Sequence, residues 1–299
     1  MTAALSALWP GFAASAPADR NADPVARHAE GEKPHDPYMP GPGAAPPGVR
    51  PRLTAPTVGP YVSIQANVDA CNGNIAGDAA NEPCIAVDPS APNRMVIGWR
   101  QFDNVGSDFP QNGYVYSNDG GRTWVLPGAV QPGLFRSDPV VAVHGSGTFY
   151  YMTLGVNTQS PPSGFFTQLF RSIDGGATWL GPTPAFGGDK EWMAIDRTGG
   201  IGAGHIYTNW SVGDLSPSNR LSRSIDGGLS FETPVPLPSA PGLGTMDVGP
   251  SGELYVTGVT SGVVSAFHVL RSDDAENPAV APTFPVDMAV DLGGPLVFG

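Results

Sequence analysis

The sequence predicts an all-β fold, a β-propeller built from four-stranded antiparallel blades. Two repeats carry this prediction. An eight-residue pattern occurs three times, at 117–124, 172–179 and 224–231. A second repeat of short apolar segments alternates with it at a similar period. Periods of about 40 to 50 residues are typical of propeller blades, which bury their faces against their neighbours.

Each copy of the eight-residue pattern has the chemistry of an anchored tight turn. The copies read Ser-Asn-Asp-Gly-Gly-Arg-Thr-Trp, Ser-Ile-Asp-Gly-Gly-Ala-Thr-Trp and Ser-Ile-Asp-Gly-Gly-Leu-Ser-Phe. The glycines reach positive φ without a Cβ clash, and the Asp carboxylate can accept hydrogen bonds from nearby backbone N–H groups. The aromatic residue is spaced to fold back over the hairpin. We therefore expect structural roles, not acid–base roles, for twelve residues: Ser117, Asp119, Gly121, Trp124, Ser172, Asp174, Gly176, Trp179, Ser224, Asp226, Gly228 and Phe231.

A fourth, degraded copy is predicted further along the chain. Leu270-Arg-Ser-Asp-Asp274 is followed by Thr283-Phe284, with an insertion between them and without the glycine pair.

The second repeat supplies the first strand of each blade. Its segments lie at 82–88, 138–144 and 190–196, with a shorter version at 245–248. They place four β-branched residues in register at steps of 56, 52 and 53: Val87, Val143, Ile195 and Val248. Each segment is followed by a polar turn and a second apolar strand, as buried strands of a sheet should be. One unit is therefore a four-stranded blade, about four blades are visible, and the first strands are expected to face a central channel.

The segments before the repeats differ in composition. Residues 1–18 resemble the end of a signal peptide, with an apolar run followed by Ala14-Ser-Ala16, which predicts a secreted or cell-surface protein. The run lacks a basic start, so an Ala-rich disordered tip is the alternative. Residues 19–58 are rich in Pro, Ala and Gly and read as a disordered linker. The propeller is expected to span 59–299, and 61–68 is a candidate for the strand that completes the last blade.

Charge excludes some classes of partner. The 299 residues carry a formal net charge of −12, which repels phosphate backbones and disfavours anionic membranes. No segment is long enough to span a bilayer. We expect neither nucleic-acid binding nor a membrane span, and we expect a monomer.

Cysteine and histidine usage gives two further expectations. Cys71 and Cys84 lie thirteen residues apart, and in an exported protein they are expected to form a local disulfide. Two buried thiols in a cytosolic protein are the alternative. The five histidines show no zinc spacing, and the Asn- and Asp-rich loop at 69–78 misses the spacing of a calcium loop. No metal or cofactor is therefore expected.

Chemistry is expected at the mouth of the channel, on the loops that enter the first strands. The catalytic candidates are Asp138, Asp189 and Glu191. The substrate-binding candidates are Glu82, Arg100, Arg136, Lys190 and Trp192. Trp99 and Trp210 are two more aromatic residues that could stack on a sugar face. Carboxylates, a few cations and aromatics suit a glycan, although any propeller mouth contains such residues.

The eight-residue pattern resembles the Asp-box, or BNR repeat, S-x-D-x-G-x-[ST]-[WF]. From about residue 58 onward the chain is similar to secreted bacterial sialidase-like proteins of this type, with Asn81-Glu-Pro, Gly98-Trp-Arg-Gln101, Ser137-Asp-Pro-Val140 and Asp189-Lys-Glu-Trp192 as further points of similarity. The resemblance implies a propeller of six or seven blades and a retaining exo-sialidase. It also implies three arginines that grip the substrate carboxylate, an Asp acid/base, and a Tyr nucleophile assisted by Glu. The chain departs from that pattern, because it has no matching arginine triad, no Tyr–Glu pair and no opening Arg-Ile-Pro.

Two functions follow as hypotheses. The first is an exported sialidase-like exo-glycosidase acting on terminal sugars, an exo-α-sialidase type of glycoside hydrolase if it is an enzyme. The second is a non-catalytic propeller that binds a glycan or a protein at the channel mouth. Fold alone does not choose between them.

Overall fold

A computed structural model describes residues 37–38, 57–58, 60–69, 71, 73–75, 77–156, 164–211, 219–260 and 266–294. These residues form β-strands joined by turns, without a helix. It follows that no helix in the described ranges is long and apolar enough to cross a membrane.

Two short paired strands, β1 (Thr57–Val58) and β2 (Tyr61–Val62), precede four antiparallel sheets that follow one another along the chain. Blade 1 consists of β3 (Ala79–Val87), β4 (Met95–Phe102), β5 (Gln111–Ser117) and β6 (Val125–Ala129). Blade 2 consists of β7 (Ser137–Val143), β8 (Phe149–Val156), β9 (Phe165–Ser172) and β10 (Leu180–Pro184). Blade 3 consists of β11 (Trp192–Ile195), β12 (Ile206–Asn209), β13 (Asn219–Ser224) and β14 (Val235–Pro236). Blade 4 consists of β15 (Pro241–Gly242), β16 (Met246–Val248), β17 (Leu254–Thr260), β18 (Phe267–Ser272) and β19 (Val286–Val290).

The first strands of successive blades lie side by side. β3 contacts β7, β7 contacts β11, and β11 contacts β16. In blade 4 the first strand is divided, so that β15 and β16 both pair with β17. The sheets therefore fan around one side of a common axis, with the apolar first strands innermost, as the second repeat predicts.

The core lies between blades, and blade 2, which has a neighbour on each side, buries both faces of its first strand, whereas β3 of blade 1 leaves Ile85 and Val87 exposed. In β7 the side chains of Val141 and Val143 pack with blade 1, whereas those of Val140 and Ala142 pack with blade 3. Alternate side chains of a strand point to opposite faces of its sheet. A first strand with neighbours on both sides is therefore buried along its whole length, as β7 is.

The three turns of the eight-residue pattern, here called the box turns, have the same pattern of hydrogen bonds. In each, the Ser hydroxyl donates to one carboxylate oxygen of the Asp at 2.8 Å, and the second Gly N–H donates to the Ser hydroxyl. The Thr or Ser hydroxyl at the seventh position donates to the other carboxylate oxygen. At Asp119 the backbone and hydroxyl hydrogen bonds from Thr123 lower the pKa to about 2. These contacts are those expected of a residue that holds a turn.

The degraded fourth copy keeps the contacts of the Asp carboxylate with the Ser and Thr residues. Asp274 accepts the hydroxyl of Ser272 at 2.8 Å, and the N–H and hydroxyl of Thr283 at 2.8 and 2.6 Å. The insertion lies against blade 3, where the Ala275 carbonyl accepts hydrogen bonds from Tyr207 and Arg223. The carboxylate anchor is thus kept while the turn itself is lengthened.

Three of the four box aromatic residues do more than cover their own hairpins. Trp179 makes edge contacts with Tyr114 of blade 1 and Tyr151 of blade 2, both with ring centroids 5.7 Å apart. Phe231 packs on the core between blades 2 and 3, and Phe284 belongs to the core between blades 3 and 4. These rings therefore join neighbouring blades.

Three expectations about the N-terminal part of the chain need correction or fall outside the structure. Within 61–68 only Tyr61–Val62 is a strand, and it pairs with Thr57–Val58 rather than with the last blade. Residues 1–18 lie outside the described residues, as does most of 19–58. Tyr38, which is described, donates its hydroxyl to Asp103 at 3.2 Å.

The predicted disulfide is wrong. Cys71 and Cys84 are both free, and Cys71 is exposed. The Cys84 thiol instead contacts the backbone of Val141 in blade 2, accepting from its N–H at 3.3 Å and donating to its carbonyl at 3.6 Å. The thiol therefore links two blades, and the alternative of two buried thiols fails as well, since Cys71 is at the surface.

Candidate functional site

A left-handed residue recurs at the same place in all four blades. Glu82, Asp138, Lys190 and Leu243 have φ values of 51°, 48°, 54° and 50°. They are spaced by 56, 52 and 53 residues, the same steps as the apolar repeat. A positive φ in a residue with a Cβ costs about 1 to 3 kcal/mol and is kept only where the surrounding structure enforces it. The recurrence therefore marks a shared backbone feature in or just before the first strand of each blade, and in blades 1 and 2 it coincides with a shift in the register of that strand.

These residues surround a cavity of about 530 Å³. Every blade contributes to its wall, through 82–84, 138–140, 190–192 and 243–244. A second cavity, of about 440 Å³, runs between the first strands and shares Cys84, Val140 and Trp192 with the first. The first cavity is the mouth of the central channel, and we call it the mouth cavity. The box turns lie at the other end of the blades, because Ser117 pairs with Met95 and Met95 with Val87 at the far end of β3.

Glu191 is exceptional among equivalent positions. The residue after the left-handed one is Pro83 in blade 1, Pro139 in blade 2 and Gly244 in blade 4, but it is Glu191 in blade 3. In the other three blades, proline or glycine occupies this position and contributes no polar side chain. The fold therefore does not require a carboxyl group at this position, and its presence in blade 3 calls for a functional explanation.

The surroundings of Glu191 favour its neutral form. Its side chain is buried and lines the mouth cavity, and neither carboxyl oxygen accepts a hydrogen bond from another described residue. Burial raises the pKa of Glu191 well above its ordinary value, and the negative charges of Asp138 and Asp189 add to the rise. Lys190 opposes it, but to a smaller extent. The site therefore favours the protonated form of Glu191 over its anion.

Asp138 joins blades 2 and 3 across the cavity wall. Its carboxylate lies 3.1 Å from the Lys190 ammonium and accepts the Lys190 backbone N–H at 3.2 Å. The Ser137 hydroxyl donates to its other oxygen at 2.7 Å. Asp138 thus lies in the same cavity wall as Glu191, so that two of the three catalytic candidates come together there.

Glu82 forms the blade 1 side of the cavity. Its carboxylate lies 3.1 Å from the Arg100 guanidinium, which also stacks over the Phe102 ring at 5.5 Å. Glu82 lines the cavity, whereas Arg100 does not. The ion pair therefore holds Glu82 in place, with the arginine behind it.

Trp192 alone among the three aromatic candidates offers a face to a ligand. It is 37% exposed and lines both cavities. Trp99 and Trp210 are buried, and the Trp99 ring N–H donates to Gln101 at 2.7 Å. Those two side chains are part of the core.

Two predicted site residues lie elsewhere. Arg136 is buried against the side chains of Gln131, Gln168 and Phe166, outside the mouth cavity. Burial lowers its pKa to about 10. Asp189 is fully buried beneath the wall, and it acts on the site through its charge on Glu191.

Sequence reasoning missed two signals. One is the set of left-handed positions, and the other is the set of residues that directly follow them: Pro83, Pro139, Glu191 and Gly244. The second signal is visible in the sequence once the four segments are aligned at the residue that follows the left-handed one. Leu243 and Gly244 were missed because the blade 4 version of the repeat is shorter.

Known structures resemble this chain in fold. The Hadza microbial sialidase Hz136 superposes with a TM-score of 0.51 at 15% identity, over 72% of this chain and 46% of that one. The fold is a β-propeller. A protein of unknown function from Dyadobacter fermentans DSM 18053 gives a TM-score of 0.49 at 18% identity, over 72% of this chain and 70% of that one. This propeller spans about half the length of the sialidase. No family model and no curated protein matches the sequence.

The buried carboxyl group predicts a pH-dependent stability. Glu191→Gln is expected to raise the melting temperature more at pH 8 than at pH 4. The folded-state pKa of Glu191 lies above its ordinary value of 4.5. The stabilising contribution of the proton is therefore complete below 4.5 and is lost as the pH rises through the folded-state pKa. Glutamine does not titrate and avoids this loss. Thermal unfolding followed by circular dichroism at both pH values measures the difference, and an equal shift at the two would contradict it.

Proposed function

We propose that this propeller is a glycoside hydrolase that acts on a terminal sugar held in the mouth cavity, with Glu191 as general acid. The observation that carries the proposal is the buried Glu191 carboxyl group, which lines the cavity without a hydrogen bond from another described residue, at a blade position where the other blades have proline or glycine. A perturbed carboxyl group in a cleft is a typical property of catalytic acids.

The chemistry assigns a role to each wall residue. Protonated Glu191 donates to the glycosidic oxygen of the leaving group. Asp138, paired with Lys190 at 3.1 Å, stabilises the positive charge that develops on the sugar or orients the attacking water. The exposed face of Trp192 stacks on the apolar face of the sugar ring.

A tyrosine nucleophile of the sialidase type has no support in the described residues. Tyr151 is near the site: burial raises the pKa of Tyr151, and the charge of Glu191 adds to that rise. Its hydroxyl is nevertheless buried and donates to the Gly113 carbonyl at 3.1 Å. Tyr151 therefore serves the packing of blades 1 and 2.

The proposal is tested with a panel of methylumbelliferyl glycosides, both α- and β-linked, and the purified chain. We expect release of methylumbelliferone from at least one terminal sugar, with a rate that falls as the pH rises through the raised pKa of Glu191. A flat signal across the panel from a folded protein would refute hydrolysis.

Binding without turnover is the second candidate. It is favoured by the ion pair between Asp138 and Lys190, because a carboxylate already held at 3.1 Å from an ammonium group is less available as a base. This function predicts glycan or protein binding, on an array or in a pull-down, that persists in Asp138→Asn and Glu191→Gln without any turnover.

Export is also part of the proposal. It rests on the sequence pattern at 1–18. N-terminal sequencing of the protein recovered from the culture medium would test it, and retention of residues 1–18 inside the cell would contradict it.

A further inference from the structure

The charges around the mouth cavity determine which sugars fit it. We infer that the cavity accepts neutral, hydroxyl-rich terminal sugars and rejects sugars that carry a carboxylate, such as sialic and uronic acids. This inference rests on the proposed function, since it names the substrate class of the same site.

The cavity wall contains more acids than bases. Its carboxyl groups are those of Glu82, Asp138 and Glu191, and its one described cation is Lys190. The Lys190 ammonium lies 3.1 Å from Asp138, so its charge is already balanced. A sugar carboxylate would therefore enter beside three carboxyl groups and compete with Asp138 for one ammonium.

Proteins recognise a carboxylate through charge-assisted, often bidentate, arginine contacts. The described wall has no arginine. Arg100, behind the wall, is paired with Glu82 at 3.1 Å, and Arg136 is buried among Gln131, Gln168 and Phe166. The sequence also has no lysine or arginine in the segments that link the second and third strands of blades 2, 3 and 4, at 157–163, 212–218 and 261–265.

A neutral sugar matches the same wall. Its hydroxyl groups can donate to the carboxyl groups of Glu82 and Asp138, and the Glu191 carboxyl group in the same wall supplies a further polar partner. Neither carboxyl oxygen of Glu191 has a hydrogen-bond partner among the described residues, and a buried polar group without a partner is costly. A sugar oxygen satisfies it without adding charge, and Trp192 packs on the ring face.

Matched pairs of ligands test the inference. Methyl glucoside carries a hydroxymethyl group where methyl glucuronide carries a carboxylate, and the two are otherwise identical. Methyl galactoside and methyl galacturonide form a second pair of this kind. Lactose and 3′-sialyllactose form a third. Affinities are measured by saturation-transfer NMR and by quenching of tryptophan fluorescence. We expect a neutral member to bind at least about tenfold more tightly than its acidic partner, because like charges placed together in a binding site cost several kcal/mol.

A gain-of-function variant provides the second arm. Leu243 lines the cavity and already has a positive φ in a residue with a Cβ. Leu243→Arg therefore adds a guanidinium group without adding backbone strain. We expect it to improve the affinity for the acidic members by about tenfold, the value of one charge-assisted contact. Leu243→Gln, which has no charge, is the matched control and should not change the preference.

The outcomes separate this inference from the proposed function. Tighter or equal binding of the acidic members by the wild type, or hydrolysis of sialyl or uronyl conjugates in preference to neutral ones, overturns the inference and leaves a glycosidase in place. Absence of both binding and hydrolysis for every ligand overturns the proposed function, and the inference fails with it.

Discussion

Replacing Glu191 with glutamine is expected to lower kcat for sugar release by about 100- to 10,000-fold, the usual contribution of a general acid. Glutamine keeps the size of the side chain but cannot donate the proton that the leaving group needs. KM should change little, because the remaining wall, including Trp192 and Glu82, is untouched. Steady-state kinetics with the best substrate of the glycoside panel measures both constants.

Two further variants make this result specific. Glu191→Pro reproduces the residue that blades 1 and 2 have at the equivalent position, Pro83 and Pro139. It should fold and be inactive. Glu253→Gln changes a carboxylate in a turn at the other end of blade 4, where Glu253 accepts the Ser251 N–H at 3.1 Å, and it should retain full activity. A Glu191→Gln enzyme with a kcat within twofold of the wild type would remove Glu191 from the acid role.

The pH profile adds an independent readout. Since the acid must be protonated, kcat/KM of the wild type should fall as the pH rises through the pKa of Glu191, which burial and Asp138 hold above its ordinary value. In Glu191→Gln this alkaline limb should disappear from the residual activity. A variant that was merely damaged would keep the limb.

Local turn chemistry explains why the sequence predicted so much of the fold. In the second box turn, for example, Asp174 contacts both Ser172 and Thr178 within a span of seven residues. The residues that hold the turn together are therefore all part of the sequence pattern. The same holds for the fourth copy, where the anchor survives a longer turn. The all-β class and the order of the blades follow from these short-range interactions.

The site depends on long-range neighbours, and there sequence reasoning was less complete. Glu191 owes its raised pKa in part to Asp138, which lies one blade and 53 residues away. Cys84 was assigned to Cys71 because the two are close in sequence, whereas the fold places it beside Val141. Arg136 was placed at the mouth from its position next to Ser137, but its side chain turns towards Gln168 on β9. None of these partners can be read from spacing without the blade geometry.

Removal of the Trp179 ring is expected to give the largest loss of stability among the box residues. The ring makes edge contacts with Tyr114 of blade 1 and Tyr151 of blade 2, and Gly176 of the same turn lies so close to blade 1 that an added Cβ would be 2.6 Å from Val96. Trp179→Ala therefore opens a cavity between two blades as well as uncovering a turn. For a half-buried ring we expect a loss of about 3 kcal/mol in the free energy of unfolding, at the lower end of the range for aromatic truncation in cores.

Trp124 provides the matched control, because it occupies the same place in the first box. A Cβ added at Gly121 would lie 3.2 Å from the Trp124 ring, so this indole covers its own turn. Among the described residues it makes no aromatic pair and belongs to no core cluster. Trp124→Ala should therefore cost about 1 kcal/mol, the transfer of part of an aromatic surface without an interblade cavity. Urea unfolding of both variants measures the difference. Equal losses would show that the rings act only within their own hairpins, and that the contact between blades 1 and 2 is held by the strands alone.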